Sequence, residues 1–408
     1  MSFNQLPAAA LDPIMLANAE WPEFKRARSD AINTTIGVLI DPEGDTPWRP
    51  RSVIEAQRVA EQHVSLEHRY GYQTPRGNEL FLSRADTFFL NQETSDVHSY
   101  QTLGGTGALN LAKDTLKALM KPEGNGKRHL TYDAGWPNHV PIFQDDFRMA
   151  TYAHADYETG TYKHSLALET IDDALEGSVI LLQVCGYNED GLNRTQEQWD
   201  EVLDLAAANE LVVILDAAYV GLVDGVREDT YPIQKAIQNG LFTFICTSMS
   251  KNMGLYNERL GALFIVNSAG HLGSEQSRNL DQAVRKIVRK TVSSTPLLAA
   301  ETAATAFGDT DNNIVISKQY GADLGHARER LAATREIWVE VTDNQFPIVA
   351  NGGGLFTKIL ANGFTEKQQE SLKKDGILAL PNSRINLGGL RMNQVGRVAS
   401  AVMKAVTL

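Results

Sequence analysis

The sequence predicts an α/β fold in which a mainly parallel sheet is followed by a second, smaller α+β domain. Two observations lead there. Short apolar runs rich in β-branched residues recur through the middle of the chain without polar alternation, as strands buried on both faces of a parallel sheet do. Helix-periodic segments separate them, and after Asp309 the texture changes. The chain has 408 residues, 43% hydrophobic and 22% charged. That composition excludes a mainly disordered chain and leaves ample material for a large core.

The strand candidates, in order, are Leu130–Asp133, Val179–Cys185, Leu211–Leu215, Leu241–Thr247 and Gly261–Val266. Helical spacing appears between them. Leu109, Ala112, Leu116 and Leu119 share one stripe of Ala108–Met120. Thr195–Asn209 opens on Thr195 and Gln198, a capping-box pattern, and carries Trp199, Val202, Leu203 and Ala206 on one face. Alternating strands and helices argue for helices on both faces of the sheet. This large domain is expected over residues 49–310. Beyond it, Ile314–Val341 reads as one long helix. Leu355–Ile359, Ile377–Leu380 and Arg384–Leu387 read as strands, with a helix capped by Thr365 and Gln368 and a closing helix Gln394–Val406. Residues 311–408 are therefore expected to form the small domain. Residues 1–48 are expected to be an N-terminal arm and part of the small domain, mostly irregular and lying against it or against a neighbouring subunit.

A net charge of -12 argues against a nucleic-acid partner. Cys185 and Cys246 sit in apolar runs and read as buried free thiols; no spacing suggests a metal site. No apolar run reaches the length of a membrane span. The first residues lack a secretory pattern, so a cytoplasmic enzyme is expected.

Three constellations carry chemistry. Leu103-Gly-Gly-Thr-Gly-Ala108 precedes a helix, where free N–H groups and close backbone approach suit an anion; a plain turn is the alternative. Asp216 ends the run LVVILD, at the edge where parallel sheets bind ligands; it caps a helix or meets a positive ligand group. Lys251 follows a buried strand in Ser248-Met-Ser-Lys-Asn-Met-Gly-Leu-Tyr-Asn-Glu-Arg-Leu-Gly261. It is a solvated surface lysine, or a desolvated amine with a depressed pKa that condenses with a carbonyl. Arg259 offers a forked donor for a phosphate.

That last run resembles the active-site segment of the aspartate/aromatic aminotransferases, the class I family of pyridoxal-phosphate fold type I. The similarity extends from Pro7-Ala-Ala-Ala-Leu-Asp-Pro13 to the C-terminal helix. It implies a large domain on a seven-stranded, mainly parallel sheet, bound pyridoxal phosphate, amino-acid and 2-oxo-acid substrates, and a homodimer with active sites at its interface. By the same resemblance Lys251 matches the Schiff-base lysine, Asp216 the partner of the pyridine nitrogen, and Tyr219 and Asn188 the neighbours of the phenolic oxygen. Gly105, Thr106, Ser248 and Arg259 match the phosphate cup, with Gly104 where a serine is common. Trp136 matches the aromatic residue on the ring, and His139 the partner of the aspartate. Tyr72 matches the tyrosine that reaches the neighbouring subunit's phosphate, Arg384 the grip on the substrate α-carboxylate, and Gly37 the N-terminal glycine over the substrate.

The chain departs from the family pattern in three places. The usual H-N-P-T-G reads Tyr187-Asn188-Glu189-Asp190-Gly191, so a cis bond after Asn188 would be costly without the proline. By the resemblance, an ungapped count puts Glu301 where dicarboxylate-using members carry an arginine that the partner subunit presents. A carboxylate facing the substrate there would disfavour acidic donors; otherwise Glu301 points away, or Arg285 or Arg289 substitutes. Val38-Leu-Ile40 replaces a G-A-Y-R run, which predicts a more apolar pocket wall. The expected activity is transamination between an L-amino acid and a 2-oxo acid, not strongly selective for acidic donors. Elimination or decarboxylation on the same cofactor is the rival within catalysis, and a non-catalytic cofactor-binding regulator is the rival outside it.

Overall fold

The computed structural model of the protein describes residues 12–42, 44–90, 96–120, 128–133, 135–308 and 314–408. Residues 7–11 of the N-terminal motif, and Asp309, where the texture changes, lie outside the described residues.

Seven strands form the principal sheet: β1 (Val97–Leu103), β2 (Arg128–Asp133), β3 (Phe147–Tyr152), β4 (Val179–Gln183), β5 (Val212–Ala217), β6 (Phe242–Ser248) and β7 (Leu260–Asn267). Their order across the sheet is β1-β7-β6-β5-β4-β2-β3. Only β7 runs against its neighbours. The unalternating runs have a direct cause. Val213 and Leu215 point into one buried cluster and Ile214 into the other, because successive side chains face opposite sides of the sheet. Helices Glu79–Leu90, Gln196–Ala208 and Leu297–Phe307 cover the first face, and Gly104–Leu119 and Ser274–Thr291 the second.

Thr195 caps its helix as its sequence suggests: Gln198 N donates to Thr195 Oγ1 at 3.2 Å and Thr195 N to Gln198 Oε1 at 3.0 Å. Thr365 and Gln368 repeat the arrangement. The strands β1 and β3 carry no continuous apolar run and escape the sequence reading; both lie at sheet edges.

A second apolar cluster gathers Trp338, Ile348, Ile377, Ile385, Val395 and Val402. It is bounded by the antiparallel pair Phe356–Lys358 and Arg384–Asn386 and by helices Glu366–Lys374 and Met392–Val406. The helix Ile314–Val341 joins both clusters, with Tyr320 and Leu324 in the first and Trp338 in the second. The N-terminal segment corrects the expectation of an irregular arm. Pro13–Ala27 is helical because Asp12 accepts from Ile14 N at 2.7 Å and proline occupies the first helical position. Ile32–Asn33 then pairs in parallel with Ile377–Leu378. Cys185 and Cys246 are free and buried. Among the described residues no helix is long and apolar enough to cross a membrane.

Candidate active site

The register brings the carboxyl ends of the parallel strands together. Gln183 lies opposite Asp216, and Asp216 opposite Cys246, two residues before Ser248. Gly104, following β1, begins the helix that faces this edge. A cavity of about 290 Å³ opens there, lined by Gly37, Gly105, Thr106, Trp136, Asn188, Asp216, Tyr219, Ser248, Lys251, Arg259 and Arg384. Eleven residues separated by up to 347 positions in the chain thus meet at one sheet edge.

Asp216 is buried, and His139 Nε2 donates to its Oδ2 at 2.9 Å. The Trp136 ring meets His139 edge-on, with centroids 5.3 Å apart. Lys251 Nζ donates to the Gly37 carbonyl. Burial first, then the positive charges of Arg384 and Arg259, lower the Lys251 pKa to about 7. Burial also pushes the Tyr219 hydroxyl well above its ordinary range.

Three side chains of the same cavity are linked in series. Arg384 Nη1 donates to Asn188 Oδ1 at 3.0 Å, and Asn188 Nδ2 donates to the Tyr219 hydroxyl at 3.2 Å. Arg384 Nη2 donates to the Thr35 carbonyl at 2.7 Å, and its guanidinium lies 4.7 Å from the Phe356 ring centroid. Its Nε is buried without a partner. The Asn188 backbone is clamped by Gln183, which accepts from Asn188 N at 3.2 Å and donates to its carbonyl at 3.3 Å. Tyr187 is fixed in turn by Asp133 and Arg194. The described residues contain no cis peptide bond.

The glycines are dictated by space. A Cβ on Gly104, whose φ is +69°, would stand 2.5 Å from Arg259 Nη2, which explains glycine where the family pattern often has serine. A Cβ on Gly105 would lie 3.1 Å from Ser248 Cβ. The helix start, two hydroxyl side chains and the Arg259 guanidinium therefore make a narrow cationic cup. A buried amine of depressed pKa, a carboxylate held by histidine and an incompletely paired arginine complete the set. These residues fit pyridoxal phosphate.

Tyr72 is 95% exposed and stands outside the cavity lining of its own chain. Glu301 is buried, accepts from Asn78 Nδ2 at 2.6 Å and pairs with Arg69 at 2.8 Å, so its carboxylate is neutralised inside its own chain. Arg285 is taken by Asp281 at 2.7 Å and Arg289 by Ser293, and neither lines the cavity. Val38–Ile40 do not line it either; Leu39 N donates to Tyr256 Oη at 2.9 Å, and Leu39 is buried in the core. The apolar wall comes instead from Ile14, Leu109 and Phe356. These three, with Gln183, Ser250 and Tyr256, are lining residues the sequence did not single out. Ser250 and Tyr256 lie inside the Ser248–Gly261 run and were within reach; nothing local marks the others.

Fold and cavity together define a pyridoxal-phosphate-dependent transferase of the α/β class. The chain belongs to the family described as Aminotransferase class I and II, which matches residues 30–407. It is 29% identical over 419 residues to an aspartate aminotransferase from Haemophilus influenzae, covering 99% of this chain and 100% of that one. It is also 29% identical over 422 residues to an aromatic-amino-acid aminotransferase from Escherichia coli, covering 98% of each. The crystal structure of an aromatic-amino-acid aminotransferase from Burkholderia pseudomallei, covalently bound to pyridoxal phosphate, superposes with a TM-score of 0.88 at 25% identity, covering 99% of this chain and 100% of that one. The protein is a pyridoxal-phosphate-dependent aminotransferase that moves an amino group between an amino acid and a 2-oxo acid.

Proposed function

We propose that this aminotransferase takes neutral donors with apolar or aromatic side chains at least as readily as acidic ones. The observation that carries the reading is the lining: the part of the cavity wall that this chain supplies sets the apolar surface of Ile14, Leu109, Trp136, Tyr256 and Phe356 beside Arg384. Relatives named for aspartate, aromatic amino acids and tyrosine are compatible with this breadth.

In this reading Gly105, Thr106, Ser248 and Arg259 would hold the cofactor phosphate, joined by Tyr72 of a second copy. Asp216 would meet the ring nitrogen, Trp136 the ring, Asn188 and Tyr219 the phenolic oxygen, and Lys251 the aldehyde. When bound, pyridoxal phosphate supplies a carbonyl that takes up the amino group and a ring that accepts electrons from the α-carbon. Arg384 binds the substrate α-carboxylate as a forked donor, with Asn188 fixing its orientation. His139 keeps the Asp216 carboxylate aimed. Lys251, its amine pKa lowered to about 7 by burial and the neighbouring guanidinium groups, would carry one and the same proton between the donor's α-carbon and the bound cofactor. Phe356 and Trp136 lend the wall apolar surface.

The same reading makes the enzyme a cytoplasmic homodimer, with residues 1–48, 49–310 and 311–408 as arm, large domain and small domain. A panel of aspartate, glutamate, phenylalanine, tyrosine, leucine and lysine as donors tests it. A kcat/KM for aspartate or glutamate clearly above that of every neutral donor would overturn the preference.

A further inference from the structure

The residue after Asn188 is glutamate where the family pattern has proline, and it reaches across to the strand pair that carries Arg384. Glu189 Oε2 accepts from Lys358 Nζ at 3.2 Å. Glu189 Oε1 accepts from Asn382 Nδ2, and Asn382 Oδ1 accepts from the Arg384 backbone N at 3.2 Å. Lys358 and Arg384 sit directly opposite one another in the antiparallel pair. Two like charges at such positions repel. Glu189, itself largely buried, brings one negative charge to them. Arg384 meanwhile has only neutral hydrogen-bond partners among the described residues, Asn188 and Thr35, and an unpartnered Nε.

We propose that Glu189 and Lys358 act as a positioning pair: Lys358 engages the Glu189 carboxylate so that Arg384 stays available to the substrate's carboxylate, while Glu189 offsets the repulsion between the two cations. This rests on the reading of Arg384 given above. Without Lys358, Glu189 becomes an unpaired internal carboxylate competing for Arg384. Without both, the competitor is gone and so is the repulsion. Glu189 also acts on Arg384 through space, favouring its charged form.

The test is calorimetric binding of 3-phenylpropionate, a carboxylic acid with no amino group to react, to the pyridoxal-phosphate-loaded enzyme. Lys358→Met is expected to weaken binding about tenfold, the effect of one competing charge in a partly buried site. Lys358→Met with Glu189→Gln is expected to return to within about twofold of the unaltered enzyme, because the two changes are coupled. Glu189→Gln alone is expected to bind no more weakly than the unaltered enzyme. In steady state the Lys358→Met donor KM rises with the acid Kd, and kcat stays within about twofold, as for a loss of uniform binding. If Lys358→Met does not fold, Lys358→Gln carries the same arm. An unchanged Kd in the lysine variant overturns the proposal. So does a double variant that binds as poorly as Lys358→Met, since that is what a merely structural clasp would give. Arg384→Lys is run alongside. If it leaves acid binding intact, the reading of Arg384 itself fails; if it weakens binding while the Glu189 and Lys358 pattern is absent, only the positioning pair fails.

Discussion

Replacing Lys251 with methionine probes the electrostatics of the cavity with no substrate present. The Lys251 amine titrates near pH 7 in the folded chain, against 10.5 for an unhindered lysine. Between those values the unfolded chain binds a proton at this site that the folded chain does not, so raising the pH favours the folded state. Methionine keeps the length of the side chain and has no proton to bind. With each pH unit corresponding to about 1.4 kcal/mol, the stability of cofactor-free enzyme relative to Lys251→Met should rise by about 2.5 kcal/mol from pH 7.5 to pH 9.5. Below pH 7 both states of the lysine are protonated, and the difference should level off, with the methionine variant the more stable. Urea unfolding of both cofactor-free proteins at matched concentration, at four pH values, measures this directly. A difference independent of pH across that window would refute the claim that burial and the neighbouring guanidinium groups hold this amine near neutrality.

Four further outcomes are expected. Arg384→Lys keeps the charge but loses the fork, and should lower kcat/KM for amino donors by about tenfold to a hundredfold, the worth of a charge-assisted hydrogen bond; steady-state kinetics would show it. His139→Phe removes the donor to Asp216 and should weaken cofactor binding by about tenfold or more, read by absorbance titration of cofactor-free protein. Gly104→Ala forces a Cβ against Arg259 from a backbone with positive φ, and should displace the guanidinium and weaken inorganic phosphate binding to cofactor-free enzyme several-fold. Thr195→Ala deletes a helix cap far from the cavity and should cost about 1 kcal/mol in denaturant unfolding while leaving kcat unchanged.

The central strands were legible because both of their faces are buried: β4 and β7 are buried along their whole length, so hydrophobicity alone outlines them. The edge strands were not, since Val97–Leu103 spends His98 on Ser277 and Gln101 on the Pro296 carbonyl, polar contacts that only tertiary packing supplies. The helix Pro13–Ala27 was missed because its cap is a single aspartate and Pro22 interrupts the pattern. In the site, the motif-borne residues Lys251, Asp216, Arg259 and Arg384 could be named from sequence, and they share one cavity. The fate of Glu301 could not, because Arg69 and Asn78 meet it from 232 and 223 positions away. Ile14, Leu109 and Phe356 are ordinary hydrophobes whose position at the pocket wall depends on tertiary packing alone.

The helix Ile314–Val341 acts as a girder bolted into two separate bodies. One end presses on the Arg51–Leu66 and Leu297–Phe307 helices, the other on Met392–Val406. A chain ended at residue 308 would strip that cover from the aromatic layer of Phe81, Phe88 and Phe307 and leave a greasy flank in water. Such a fragment would clump rather than persist in solution, so the part that carries Asp216 and Lys251 depends for its solubility on the part that carries Arg384.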